Sequence, residues 1–155
     1  MDFEFLTDCP SALPTIAKWY FEQWGHTVPG DSLEGAITRM QGYLNLGQLP
    51  LIVTAIDDGE VIGAAQLKFR EMSIYPEREH WLGGVYIRSS HRRFGVASRL
   101  VSRSLEIARS FNVDSLFLQT ERLDGGLYAR LGWEPREQVT YKGVRVLVME
   151  RSLSE

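Results

Sequence analysis

Apolar and polar residues alternate at the start of the chain, where Phe3 and Phe5 are interleaved with Asp2 and Glu4, the period-two pattern of a half-buried strand. The period then lengthens. Pro10 and Pro14 bracket a helix start that Ser11 is placed to cap. Over residues 12–24, Leu13, Ile16, Ala17, Tyr20, Phe21 and Trp24 make one apolar face, with Lys18, Glu22 and Gln23 elsewhere. Gly25 ends this helix, residues 25–30 read as a loop, and Asp31 or Ser32 is placed to cap a second helix running to about Leu46. For Trp19, Tyr20 and Trp24, core packing is the plainer reading and ligand contact the alternative, because aromatic residues at helical spacing usually face a core. Residues 51–56, the turn-forming Asp57-Asp58-Gly59, and residues 60–69 predict a hairpin. Residues 70–79, with Glu71, Pro76, Glu77, Arg78 and Glu79, are too polar and interrupted for a core and are expected to loop into the next strand.

The pattern is clearest over residues 81–109. An apolar strand, residues 81–87, contains Gly83-Gly84, and glycines inside a strand suggest a bulge or a close approach of another backbone or a ligand. Arg92-Arg93-Phe94-Gly95-Val96-Ala97 follows, and Val96, Leu100, Val101, Leu105 and Ala108 then recur at helical spacing, predicting a helix over residues 96–110. The basic turn therefore sits at a helix start. Backbone N–H groups there have no internal partner and the helix dipole adds partial positive charge, so the site suits phosphate, and the two arginines reinforce that preference. An ordinary solvated basic loop is the plainer alternative.

Residues 113–120 read as a strand, and the order strand, helix, strand favours a parallel pair joined by a crossover. Asp124-Gly125-Gly126 starts a short helix over residues 127–131, stopped by Gly132. Trp133 onward forms a strand whose antiparallel partner is residues 144–151, with Lys142-Gly143 in the turn. No repeat, low-complexity segment or linker interrupts the chain, so residues 1–155 are expected to form a single domain.

Composition narrows the function classes. With 44% hydrophobic and 24% charged residues the chain is an ordinary globular one, large enough to bury a core without cross-links. The net charge of −3 argues against a general nucleic-acid binder, which needs a basic face. Cys9 is the only cysteine, so no internal disulfide forms, and a reducing cytoplasm is the simplest location. The acidic N-terminus shows no basic segment followed by an apolar run, no stretch is long enough to span a bilayer, and no set of His, Cys or carboxylates has metal spacing. His80 and His91 read as surface residues.

Two segments in order carry a family resemblance. Arg92-x-x-Gly95-x-Ala97 resembles the acyl-CoA-binding motif of the GNAT superfamily of N-acetyltransferases, whose pattern is Gln or Arg, two residues, Gly, one residue, then Gly or Ala. Leu127-Tyr128-Ala129-Arg130-Leu131-Gly132-Trp133 is similar to the family's other recurrent segment, a Tyr on a short helix ending in Leu-Gly-aromatic. The resemblance covers residues 51–153; the first fifty match only in helix content. It implies an α/β (α+β) fold: a mixed, mostly antiparallel sheet of about seven strands with a central, splayed parallel pair, flanked by about four helices. It also implies acetyl-CoA as acyl donor. Val85, Tyr86 and Ile87 would line the pantetheine arm, and Arg92, Arg93, Phe94, Gly95, Val96, Ala97 and Ser98 would hold the pyrophosphate.

The implied reaction is attack by an amine of a small molecule or peptide on the acetyl-CoA thioester, which needs a neutral nucleophile, a stabilised oxyanion and a proton for the leaving thiolate. The family's Tyr in the second segment makes Tyr128 the candidate general acid, with a packed helix Tyr as the alternative. A backbone N–H near Val85 is placed to polarise the carbonyl. Glu79 is the candidate base: residues two apart share a strand face, so Glu79, Trp81 and Gly83 would face the cleft together, while a water relay is the competing arrangement. One departure is the absence of an Asn after residue 120, where Gln119-Thr120-Glu121-Arg122-Leu123 stands, so a cofactor contact is missing or replaced, with Thr120 the candidate. The alternative of another class is a non-catalytic acyl-CoA-binding module. Glu71, Glu77 and Glu79 hint at a cationic acceptor, against Arg70 and Arg78. Dimers are frequent in the family, though no interface is legible here.

Overall fold

The computed structural model describes residues 1–154, with Thr27 described by its backbone alone. Among the described residues one seven-stranded sheet runs in the order β1-β2-β3-β4-β5-β7-β6. The strands are β1 (Asp2–Phe5), β2 (Leu51–Asp57), β3 (Glu60–Phe69), β4 (His80–Ile87), β5 (Ser115–Thr120), β6 (Glu134–Tyr141) and β7 (Val144–Ser152). Every neighbouring pair is antiparallel except β4 and β5, which run parallel. That pair is joined at a single register position, Trp81 opposite Phe117. Beyond it the two strands diverge, so the sheet consists of two leaves, β1–β4 and β5–β7, open at the carboxyl end of β4.

Four α-helices accompany the described strands: α1 (Leu13–Trp24), α2 (Leu33–Met40), α3 (Val96–Ser110) and α4 (Gly126–Arg130). α3 has the bounds its periodicity predicts and ends because Asn112 turns into the left-handed region, at φ 61°, where Val113 N–H donates back to the Ala108 carbonyl at 3.2 Å. That closure delays β5 to Ser115, two residues later than expected. Two caps differ from the sequence reading. Ser11 does not cap α1, whose N-cap is Ala12 with no side-chain bond, because 3₁₀ turns from Leu6 to Ala12 already lead the chain into the helix. Ser32 does cap α2, accepting from the Gly35 N–H at 3.0 Å. α2 stops at Met40 instead of reaching Leu46, since a 3₁₀ turn, Gln41–Tyr43 with Gly42 inside it, takes over.

The core lies on both faces of the sheet. On one face α3 covers residues from both leaves, including Val53, Leu67 and Leu82 from the first and Leu116, Leu118 and Met149 from the second. On the other face α1 and α2 bury Ile16, Tyr20, Met40, Ile52 and Ala64. The loop between β3 and β4 returns over that same face, where Met72 and Trp81, both fully buried, pack with Val146 and Val148. Between these two clusters the opposite face is left partly uncovered.

The glycine pair in β4 does what its sequence suggests. Between Ala64 and Gln66 of β3, two steps are matched by three on β4, from Tyr86 to Gly83, which is a bulge. Gly84 takes up the extra residue at φ +56°, a conformation that side-chain-bearing residues rarely adopt.

Candidate active site

Two cavities meet at this bulge, and Gln23 and Trp24 border both. The first, about 590 Å³, runs along the carboxyl half of β4 to the start of α3. Val85, Tyr86, Ile87, Arg92, Arg93, Gly95, Val96, Ala97 and Ser98 line it, together with Tyr128 from the second motif. All the residues singled out for the cofactor are thus brought together except Phe94, which is 76% exposed and lines neither cavity.

The turn into α3 has features that suit an anion, by what it lacks as much as by what it holds. Arg93 and Gly95 both sit in the left-handed region, at φ 71° and 77°, which swings the chain so that the first amides of α3 end the cavity. No side chain caps α3 and no acidic residue occupies its first turn, so its leading N–H groups are uncompeted for. Arg92 steadies the turn: its Nε donates to the Ile87 carbonyl at 2.8 Å, and its guanidinium lies 5.3 Å from the Tyr86 ring centroid. Tyr86 is in turn stacked on Trp19 at 5.1 Å and meets Trp24 edge-on at 6.4 Å. Trp24 therefore packs and lines both cavities, while Trp19 packs.

Several residues on this cavity were not singled out from the sequence. His91 lines it, with Nε2 3.3 Å from the Asp57 carboxylate and Nδ1 2.8 Å from Ser90 Oγ. Arg122 and Arg130 add positive charge from the far leaf. A count of basic residues alone would have flagged them, but only the fold sets them across from α3. Thr120, the candidate replacement for the family's Asn, lies on the other cavity, where its Oγ1 accepts from the Arg122 N–H at 3.1 Å and holds the turn after β5.

Tyr128 stands on α4, edge-on to Trp133 at 6.0 Å. Burial pushes its hydroxyl up to about 12, with the Glu71 charge adding to the rise. A neutral phenol that keeps its proton through physiological pH is a donor, as a general acid must be.

The second cavity, about 670 Å³, opens on the face left between α1–α2 and the β3–β4 loop. At its floor, beside Gly83, lies Glu71, with 14% of its side chain exposed. One carboxylate oxygen is 3.2 Å from Lys68 Nζ, and the other accepts from Gln119 Nε2 at 3.0 Å. Burial pulls Lys68 down, yet Glu71, with Tyr43 and Tyr141 adding to it, outweighs that and holds the ammonium above its ordinary range. Tyr20 borders the same cavity beside Gly84, with its hydroxyl buried and without a partner among the described residues. Desolvation raises that hydroxyl's pKa strongly, and nearby Tyr43 adds to the rise.

Glu79, the carboxylate that strand alternation points to as a base, lines neither cavity. Its side chain is 49% exposed and pairs with Arg70 at 3.6 Å and His80 at 3.5 Å. The reason is Trp81: on the same face of β4, its buried indole closes the floor between Glu79 and Gly83. Among the described residues no group of three or more His, Cys, Asp or Glu is placed to hold a metal ion, and no helix is long and apolar enough to cross a membrane.

A sequence model of the Acetyltransferase (GNAT) family matches residues 9–133. No curated protein matches the chain. Among solved structures, an aminoglycoside 6'-N-acetyltransferase complexed with coenzyme A is similar at a TM-score of 0.78 and 15% identity, with 100% of this chain and 98% of that one covered. The yncA protein of Salmonella typhimurium, solved with its cofactor acetyl-CoA, is similar at 0.77 and 18% identity, covering 100% and 95%. A ribosomal-protein-alanine N-acetyltransferase from Brucella melitensis is similar at 0.73 and 20% identity, covering 98% and 99%. At such identities these likenesses show the shared fold.

Proposed function

The chain belongs to the GNAT acetyltransferase family, and from that premise we propose that it transfers an acetyl group from acetyl-CoA to a primary amine of a small molecule or peptide by direct attack. The observation that carries this reading is the adjacency of the two cavities at the β4 bulge, with an uncapped basic helix start at the end of one and a carboxylate at the floor of the other. Acetyl-CoA is the acyl donor. Arg92, Arg93 and the first amides of α3, over residues 95–98, hold its pyrophosphate, and Val85, Tyr86 and Ile87 run beside its pantetheine arm.

The acceptor enters from the other side. Glu71, which lines this cavity where Glu79 lines neither, attracts its ammonium and receives its proton in this reading. The freed nitrogen attacks the thioester carbonyl carbon, and a backbone N–H at the bulge, near Val85, stabilises the oxyanion. As the carbon–sulfur bond breaks, Tyr128 gives its proton to the thiolate and regains one from the acetylated nitrogen, which sheds its second proton. Adjoining donor and acceptor cavities suit direct transfer, since the amine can reach the thioester carbonyl without a side chain to carry the acetyl group between them.

Isothermal titration with acetyl-CoA tests the first half of this reading, repeated on a variant with Arg92→Ala and Arg93→Ala. Clear binding, weakened about tenfold or more in the double variant and further weakened by salt, is the expected result. Absence of binding by the parent protein would remove the enzyme reading. Binding without turnover on any amine would support the non-catalytic acyl-CoA-binding module instead.

A further inference from the structure

The acceptor cavity carries more charge than acetyl transfer requires, and the charge cancels. Among its described lining residues Asp31, Glu71 and Glu121 are matched by Arg39, Lys68 and Lys142. Asp31 and Arg39 satisfy each other through two hydrogen bonds of 2.7 Å, away from the floor. A polycationic acceptor calls for a surplus of carboxylates, and this cavity has none.

At the floor the unmatched groups are donors. Lys68 Nζ donates to Gln66 Oε1 at 3.3 Å and pairs with Glu71 at 3.2 Å, which leaves one of the three ammonium N–H groups over. The Tyr20 hydroxyl, in a residue 9% exposed, has no partner among the described residues and lies against Gly84 of the bulge. The Tyr20 hydroxyl is thus a buried donor without an acceptor, a costly arrangement that marks where a ligand supplies one, and Lys68, with 23% of its side chain exposed, has a spare N–H open to the same ligand. An acceptor molecule bearing only an amine would satisfy Glu71 and leave both donors as they are. One bearing an anionic oxygen beside its amine would satisfy all three.

We propose that the acceptor is a free α-amino acid, its ammonium set against Glu71 and its carboxylate against Lys68 and the Tyr20 hydroxyl. The proposal rests on the acetyl-transfer reading above. The zwitterion lies head to tail with the Lys68–Glu71 pair, so each charge gains a second opposite neighbour and the cavity stays neutral. In the reaction the nitrogen–carbon bond to acetyl forms and the carbon–sulfur bond breaks. Of the two protons the ammonium gives up, one ends on the CoA thiol by way of Tyr128 and the other passes through Glu71 to solvent. The N-acetyl product carries no cation, loses its attraction to Glu71, and leaves.

The test assays the full-length protein, with acetyl-CoA saturating, against the free L-amino acids, following thiol release and product mass. Every amino acid that turns over is compared with its carboxamide and with the amine left by its decarboxylation. Both comparators are expected to fall at least about tenfold in kcat/KM, the loss typical of a charge-assisted hydrogen bond. Lys68→Gln should erase that discrimination, Lys68→Arg should retain most of it, and Tyr20→Phe should reduce it in part. Acetyl-CoA affinity, measured by titration on each variant, reports that the fold is intact and should not change. Equal or faster turnover of the carboxamides would overturn the proposal in favour of a peptide N-terminus, and equal turnover of decarboxylated amines in favour of a simple amine, with acetyl transfer itself standing in both cases. Acetyl-CoA binding with no amino acid accepted would also overturn it, whereas failure to bind acetyl-CoA would remove the reading beneath it.

Discussion

The roles proposed for Tyr128 and Glu71 follow from the surroundings of each side chain. The Tyr128 hydroxyl, raised by burial first and by Glu71 second to about 12, is a proton donor that does not lose its proton in the working range. Tyr128→Phe should lower kcat roughly a hundredfold, the scale of a lost general acid, while acetyl-CoA affinity by titration stays within about threefold. Loss of acetyl-CoA affinity with normal turnover would contradict the role. The same residue has a stability signature. Because its folded pKa lies above the ordinary value of 10, the native state favours the protonated form, so its contribution is complete below about pH 10 and is lost as pH rises towards about 12. Urea unfolding at pH 9 and pH 11 should show a smaller alkaline loss in Tyr128→Phe than in the parent.

At the scale of elements, two left-handed glycines separate strain from space. A Cβ on Gly95, at φ +77°, meets nothing within 4 Å, whereas one on Gly84, at φ +56°, meets Gln66 at 3.0 Å and the Tyr20 ring carbon and hydroxyl at 3.1 Å. Gly95→Ala should therefore cost only backbone strain, about 1 kcal/mol, and weaken acetyl-CoA by tilting the amides of α3. Gly84→Ala should cost roughly 2–3 kcal/mol, strain and overpacking together, and raise the acceptor's KM by displacing Tyr20. Denaturant midpoints order the two. The basic turn is also where the sequence speaks most plainly, because Arg92 to Ala97, the helix they open and the strand before them are contiguous, and local patterns suffice to place contiguous parts. Glu71 was harder to see. In the sequence it is one carboxylate among Glu71, Glu77 and Glu79, and only the return of the β3–β4 loop over the sheet puts it beside Gly83. Alternation alone points to Glu79, which the structure leaves outside both cavities, because alternation specifies a face and not how far along that face a cavity extends before a residue such as Trp81 fills it.

The whole molecule is two leaves sharing one parallel register position and one crossover helix. The sequence carried the leaves, through hairpin turns and the two motifs in order, and it carried the parallel neighbours through the strand, helix, strand order. It did not carry the second cavity, whose walls come from α1, α2, the β3–β4 loop and the β6–β7 turn, segments distant along the chain whose meeting depends on tertiary packing. The exposed turn from Arg92 to Gly95 is the only link between β4 and α3, yet α3 lies across both leaves with Val96, Leu100, Val101, Leu105 and Ala108 buried beneath it. Trypsin cutting after Arg93 would divide the chain without freeing either piece, since each would expose the other's core on leaving. The nicked protein should elute from a sizing column as an undivided particle, its two fragments visible only on a denaturing gel, and it should have lost its grip on acetyl-CoA. Added before the protease, acetyl-CoA should slow the cut.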